Sequence, residues 1–113
     1  MTEVRFDASV EQLQHNAVVH LVGTVTRSAK DQMEDAYREA APSGTVLLDF
    51  TGVDYINSTG IAVVVGILAM ARAEGVEVGG FGLTDHYQEV FRITRLSDFM
   101  TIYENEAAIP AGA

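Results

Sequence analysis

The stretch from Thr45 to Glu74 constrains this chain more than any other. It opens with TVLLDF, a nearly continuous apolar run of the kind expected for a strand inside a sheet covered on both faces. It then turns through Thr51-Gly52-Val53-Asp54 into a helical segment, Ser58–Glu74, with no charged or polar side chain between Ile61 and Ala71. Ile61, Val64, Val65, Leu68 and Ala71 recur at helical spacing as a core stripe, while Val63, Ile67 and Met70 make the other side apolar as well. Such a helix must be deeply buried or must offer part of its surface to a partner. Ile67 and Met70 are surplus to the stripe and are the expected partner-facing residues.

The rest of the chain repeats the alternation of strand and helix. Val4–Phe6 and Ala17–Val22 read as strands joined by a polar connection. Ser28, with Asp31 three residues on, reads as a capping-box start for a helix whose apolar face is Ala29, Met33, Ala36, Tyr37 and Ala40, ended by Pro42-Ser43-Gly44. Gly75 is suited to end the Ser58–Glu74 helix. Val76–Phe81 is a further strand, and Thr84 caps a helix that turns Tyr87, Val90, Phe91 and Leu96 inward. Phe99–Tyr103 is a last short strand, and Asn105 caps a helical stub ending at Pro110. The order ββαβαβαβα with short connections predicts one α/β domain over residues 1–113. Its sheet has about five mostly parallel strands with an antiparallel N-terminal edge, packed with three to four helices.

Charge and composition remove whole classes of function. Seven basic against sixteen acidic side chains give a net charge of −9, so no row of phosphates can be neutralised and neither nucleic acid nor an anionic membrane is an expected partner. With no cysteine, disulfides, thiolate catalysis and cysteine-bound metals are excluded. His15, His20 and His86 have no partner at metal-ligand spacing, and no metal or cofactor is expected. Asp49 and Asp54 read as turn carboxylates, and Gly79, Gly80 and Gly82 as a place where backbones pack closely. No nucleophile elbow or phosphate loop occurs, and no histidine has a predictable place beside Ser58, so catalysis is not expected. The N-terminal MTEVRFDASVEQ has neither a basic nor an apolar leader region, and no apolar stretch is long enough to span a bilayer. A cytoplasmic protein without membrane insertion is expected.

Small polar residues, Asn57-Ser58-Thr59-Gly60, open the apolar helix. Asn57 or Ser58 can cap it by accepting a first-turn N–H. A helix N-terminus also tolerates a phosphate, because its free N–H groups and partial positive charge favour an anion. Both readings of Ser58, as cap and as switch, follow from the local chemistry.

The segment LLDFTGVDYINSTGIAVVVGIL resembles the hallmark of STAS domains, the modules shared by sulfate transporters and anti-sigma factor antagonists. The likeness continues through VEVGGFGLT and RITRLSDFMTIYENEAAI, covering nearly the whole chain, and without a membrane segment it is that of a stand-alone antagonist. The resemblance implies a binding switch. An anti-sigma factor that is also a serine kinase, of histidine-kinase-like ATPase fold, would bind the unphosphorylated chain and release it on phosphorylating Ser58, with Thr59 as the alternative acceptor. A PP2C-type phosphatase would reset the cycle. The expected partner surface comprises Thr26, Asn57, Ser58, Thr59 and Gly60 around the implied phosphosite, with Ile67 and Met70 added from the surplus apolar positions of the helix. The other reading the resemblance allows is an unphosphorylated scaffold, or an accessory subunit of a lipid-transport ATPase, in which Ser58 is only a cap. The chain departs from the pattern at Asn57 and Thr26, where Asp is usual, and at Arg95, where a helix-ending Gly is common.

Overall fold

A computed structural model describes residues 5–109. Val4 and Pro110, which bound the first strand and last helix expected from sequence, lie outside that range. Five strands form one sheet in the order β1-β2-β3-β4-β5: β1 Phe6–Gln12, β2 Ala17–Val25, β3 Thr45–Ile56, β4 Glu77–Phe81 and β5 Thr101–Ile102. β1 pairs antiparallel with β2 and every other pairing is parallel. Three α-helices connect them: α1 Lys30–Ala40, α2 Ser58–Glu74 and α3 Asp85–Ile93. The mostly parallel sheet with an antiparallel first edge is the architecture the strand–helix alternation demands.

Strand alternation sorts the side chains onto two unlike faces. Ala17, Val19 and Leu21 of β2 and Val46, Leu48 and Phe50 of β3 pack with Met33 and Tyr37 of α1, Val64, Ile67 and Leu68 of α2, and Phe91 of α3. Phe50 and Phe91 meet edge-on with centroids 5.6 Å apart, a geometry that adds about 0.5–1.5 kcal/mol beyond burial. All three helices therefore cover one face. The expectation that both faces are covered is corrected: among the described residues the other face has a small buried cluster, Val18, Leu47 and Phe81, beneath Tyr103 and Ile109, and no α-helix packs on it.

Several boundaries differ from those read in the sequence. β1 begins at Phe6 and runs to Gln12, because Phe6, Ala8 and Val10 pack on the core while Asp7, Ser9 and Glu11 face outward. β2 continues to Val25 and β3 to Ile56, since Val22–Val25 pairs with Gly52–Ile56 across two register shifts. The helix expected from Ser28 starts instead with a tight turn at Arg27–Ala29, capped by Thr26, whose Oγ1 accepts from Ser28 N at 3.2 Å. Ser28 and Asp31 form no capping box there. By contrast, α2 has the bounds its sequence suggests, with Gly75 left-handed at φ 72°.

Candidate functional site

The end of β3 delivers the chain into α2 at the point where β2 also ends. Asn57 stands between strand and helix with extended backbone (φ −93°, ψ −179°), and its Oδ1 accepts from Gly60 N at 2.8 Å. Asn57 is therefore the cap. The same Oδ1 accepts from the Thr59 hydroxyl at 2.7 Å, and Thr59 Oγ1 accepts in turn from the backbone N–H of Arg27 at 2.9 Å. Asn57 N donates to Val25 O at 3.2 Å. These bonds fasten the loop after β2 to the first turn of α2, so Thr26 lies on a loop that flanks Ser58.

Within this cluster the hydroxyls differ in what they are used for. Thr59 both donates and accepts, and Thr26 Oγ1 is held by Ser28 N and lies 2.8 Å from Ser28 Oγ. Ser58 is the first residue of α2 and exposed, and among the described residues its hydroxyl makes no hydrogen bond to the rest of the chain. The first turn of α2 contains no acidic residue. Negative charge placed on Ser58 would meet the helix N-terminus without a carboxylate in that turn.

The other residues expected at the site divide between core and surface. Gly60 is buried, and a methyl group on it would collide with the carbonyl of Val25, so its role is to let helix and strand approach. Ile67 is 1% exposed and belongs to the core, which corrects its assignment to the partner surface. Met70 is half-buried against that same core. The buried stripe of α2 is Gly60, Val63, Val64, Ile67, Leu68 and Ala71. This leaves Val65, one of the expected core residues, 47% exposed. The outward face instead carries Ser58, Ala62, Val65, Ala69 and Arg72. Sequence reading missed Val65, Ala69 and Arg72 as surface residues. The signal available was the charge of Arg72, which fixes the solvent side of a helix otherwise apolar all round.

On the open sheet face a second polar cluster bridges three strands. His20 Nδ1 lies 2.7 Å from Asp49 Oδ2, and its Nε2 lies 2.8 Å from Glu11 Oε1. The bond to Glu11, then that to Asp49, raises the His20 pKa above 6.5 against the opposing effect of burial. Burial pushes the Asp49 carboxyl up, but hydrogen bonds from Thr51 and His20 outweigh it and hold the group below the usual carboxylate range. Asp49 is thus a strand residue facing His20, which corrects its reading as a turn carboxylate.

A family profile described as "Mlab, STAS domain" matches residues 8–102, and the chain belongs to the STAS domain family. Two curated relatives, each named anti-sigma-B factor antagonist, from Listeria monocytogenes and Listeria innocua, are 43% identical over 60 residues. That alignment covers 52% of this chain and 53% of each relative, so the chain spans about half the length of the curated relatives it matches. Among solved structures, an anti-sigma factor antagonist from Mycobacterium paratuberculosis superposes with TM-score 0.77 at 14% identity, covering 94% of this chain and 92% of that one. The unphosphorylated form of the anti-sigma factor antagonist SpoIIAA gives TM-score 0.67 at 16% identity over 88% and 90%. Its phosphorylated form, from Bacillus, gives 0.65 at 20% over 89% and 95%. These likenesses establish the fold. No helix among the described residues is long and apolar enough to cross a membrane.

Proposed function

We propose that this chain is an anti-sigma factor antagonist that works by partner switching. Unphosphorylated, it binds an anti-sigma factor serine kinase through the first turn of α2 and the flanking Thr26 loop, and phosphorylation of Ser58 releases it. A PP2C-type phosphatase restores the binding form. The observation that carries this reading is the division of labour at the start of α2: Asn57 takes the cap, Thr59 ties the neighbouring loop, and Ser58 is left exposed with its hydroxyl uncommitted among the described residues. Its relatives' names and the phosphorylated neighbour support it.

The energetics favour release. Phosphoserine adds about −1.5 to −2 charges at pH 7 to a chain of net charge −9. Left in solvent at a helix N-terminus, that charge is accepted with roughly 0.3–1 kcal/mol of stabilisation. Buried under a partner without a counter-charge it costs several kcal/mol. The test is calorimetry with the purified kinase, together with ATP incubation and site mapping by mass spectrometry. Wild type and Ser58→Ala are expected to bind, Ser58→Asp at least tenfold more weakly, and phosphate to appear on Ser58. Equal affinity for wild type and Ser58→Asp with no phosphate at Ser58 would overturn the switch and favour a constitutively bound scaffold.

A further inference from the structure

We infer that the outward face of α2, with the cleft between it and the segment after α3, is the seat of a partner helix that carries apolar side chains at heptad spacing and a carboxylate against Arg72. This rests on the partner-binding role proposed above and names the chemistry of what binds. Ser58, Ala62, Val65, Ala69 and Arg72 are all exposed and follow one another at steps of four, three, four and three residues. That is the spacing of a coiled-coil seam, which drifts only about 20° per heptad around a straight helix. The stripe covers about 21 Å along the axis at 1.5 Å per residue. An interface of ordinary size, about 800 Å² per partner, covers both Ser58 and Arg72.

Halfway along this seam the surface opens into a cavity of about 250 Å³ lined by Val65, Ala69, Leu96 and Phe99, with Arg72 and Arg95 among its walls. Two exposed large apolar residues, Val65 at 47% and Phe99 at 52%, border it. In a chain with sixteen acidic and seven basic residues, none of the side chains lining this cavity is acidic and two are arginines. Arg95 is paired with Asp98 at 2.8 Å, whereas Arg72 lies over the Phe99 ring, 5.3 Å from its centroid, with no carboxylate within ion-pair reach among the described residues. The larger cavity that shares Arg72 and Phe99, about 540 Å³, is instead lined by Glu77 and Asp98 and does not suit an anion.

Charge complementarity therefore selects an acidic partner segment. Size selects a side chain over a free ligand, because sites for small molecules commonly measure about 300–1,000 Å³. One leucine- or phenylalanine-sized knob enters between Val65 and Phe99 while a neighbouring carboxylate reaches Arg72.

Two arms test this on the full chain. In the first, the purified kinase is titrated against wild type, Ser58→Asp, Val65→Glu, Arg72→Glu and Arg92→Glu. The last changes an exposed arginine that does not line the cleft. Val65→Glu and Arg72→Glu are expected to weaken binding at least tenfold, and Arg92→Glu less than twofold, with melting curves unchanged. In the second arm, a synthetic helix with leucines at heptad spacing and glutamates elsewhere is added to isotope-labelled protein, alongside its lysine counterpart. The acidic peptide is expected to shift the amide signals of Val65, Ala69, Leu96 and Phe99, at least tenfold more tightly than the basic one. That preference should disappear in Arg72→Glu.

A kinase released by Ser58→Asp but indifferent to Val65→Glu and Arg72→Glu would overturn the seat and leave the switch standing. A kinase that never binds, with an acidic peptide that fills the cleft, would support the seat and overturn the switch. Neither peptide binding, or both binding equally, would overturn the seat. Decanoate occupying the cleft more tightly than the acidic peptide would also overturn it, in favour of a small anionic amphiphile.

Discussion

Thr59 and Arg27 are 32 residues apart, yet the Thr59 hydroxyl oxygen accepts the Arg27 backbone N–H at 2.9 Å and in doing so locks the loop after β2 to the first turn of α2. The same hydroxyl donates to Asn57, so its loss disturbs the cap as well. Thr59→Val keeps the shape and removes both bonds. It is expected to lower stability by about 1 kcal/mol, the ordinary net value of such a bond. Thr59→Ser should keep most of it. Urea denaturation of the three proteins checks this; a Val variant as stable as wild type would mean that the loop is held by other contacts.

Arg95 departs from a pattern in which glycine is common, and the backbone shows the cost of that departure. It is the one non-glycine residue with positive φ among those described, at 67°. The left-handed region costs an L-residue about 1–2 kcal/mol, against roughly 0.5–1 kcal/mol for the extra freedom a glycine loses on folding. The exposed pair with Asp98 adds little. Arg95→Gly is expected to gain about 0.5 kcal/mol, since relief of strain exceeds the entropy lost. Arg95→Ala should fall below wild type, because it keeps the strain and loses the pair. An order other than Gly, Arg, Ala in urea midpoints would contradict the argument.

The His20 bridge makes stability depend on pH in a defined window. A neutral imidazole has one N–H, so it cannot donate to both carboxylates, whereas the imidazolium can. The groups facing it are Glu11 on β1 and Asp49 on β3. Because the folded pKa of His20 is raised above 6.5, its contribution is full below that value and is lost as pH rises through the raised pKa. The pKa of Asp49 is lowered from 3.8, so its contribution is present above that value and is lost as pH falls through the lowered one. The advantage of wild type over His20→Gln is therefore expected to peak between pH 3.8 and 6.5 and to shrink on either side. A difference independent of pH would show that the bridge is not ionised in the folded state.

What could be read from the sequence followed what is local. The bounds of α2 were legible because Asn57 and Gly75 are end signals in themselves, whereas its rotation was marked by the charge of Arg72 alone and not by the apolar pattern. With Ile61, Val63, Val64, Val65, Ile67 and Leu68 all apolar, periodicity cannot choose a phase, and Ile67 and Val65 exchanged roles. The last three residues of β2 and the second half of β3 were missed because Gly23, Gly52 and Asp54 read as turn signals among strand formers, and only the pairing of the two segments with each other overrides them. The pairing of His20 with Asp49 depends on strand register, which no short motif encodes. At the candidate site, the neighbourhood of Thr26 and Ser58 came from resemblance, while the Thr59–Arg27 bond that creates it had no signature in the sequence.

Capping supplies the sharpest test of how Ser58 is used. Asn57 Oδ1 satisfies Gly60 N at 2.8 Å, so the first-turn bond that a cap provides is already made. Asn57→Ala is expected to cost about 1 kcal/mol, within the range of roughly 0.5–2 kcal/mol for removing such a cap. Asn57→Asp should keep it, since a carboxylate accepts the same N–H and its charge interacts favourably with the helix N-terminus. Ser58→Ala removes an exposed hydroxyl that bonds to no other described residue and should change stability by less than about 0.5 kcal/mol, as surface substitutions usually do. Chemical denaturation of the four proteins gives the comparison. If Ser58→Ala costs as much as Asn57→Ala, the serine hydroxyl is part of the cap, and phosphorylating it would undo the first turn of α2 instead of merely marking its surface. Release would then follow from local unfolding, and Ser58→Asp should show faster amide exchange over residues 58–62. Without that penalty, exchange there should match wild type while partner binding falls.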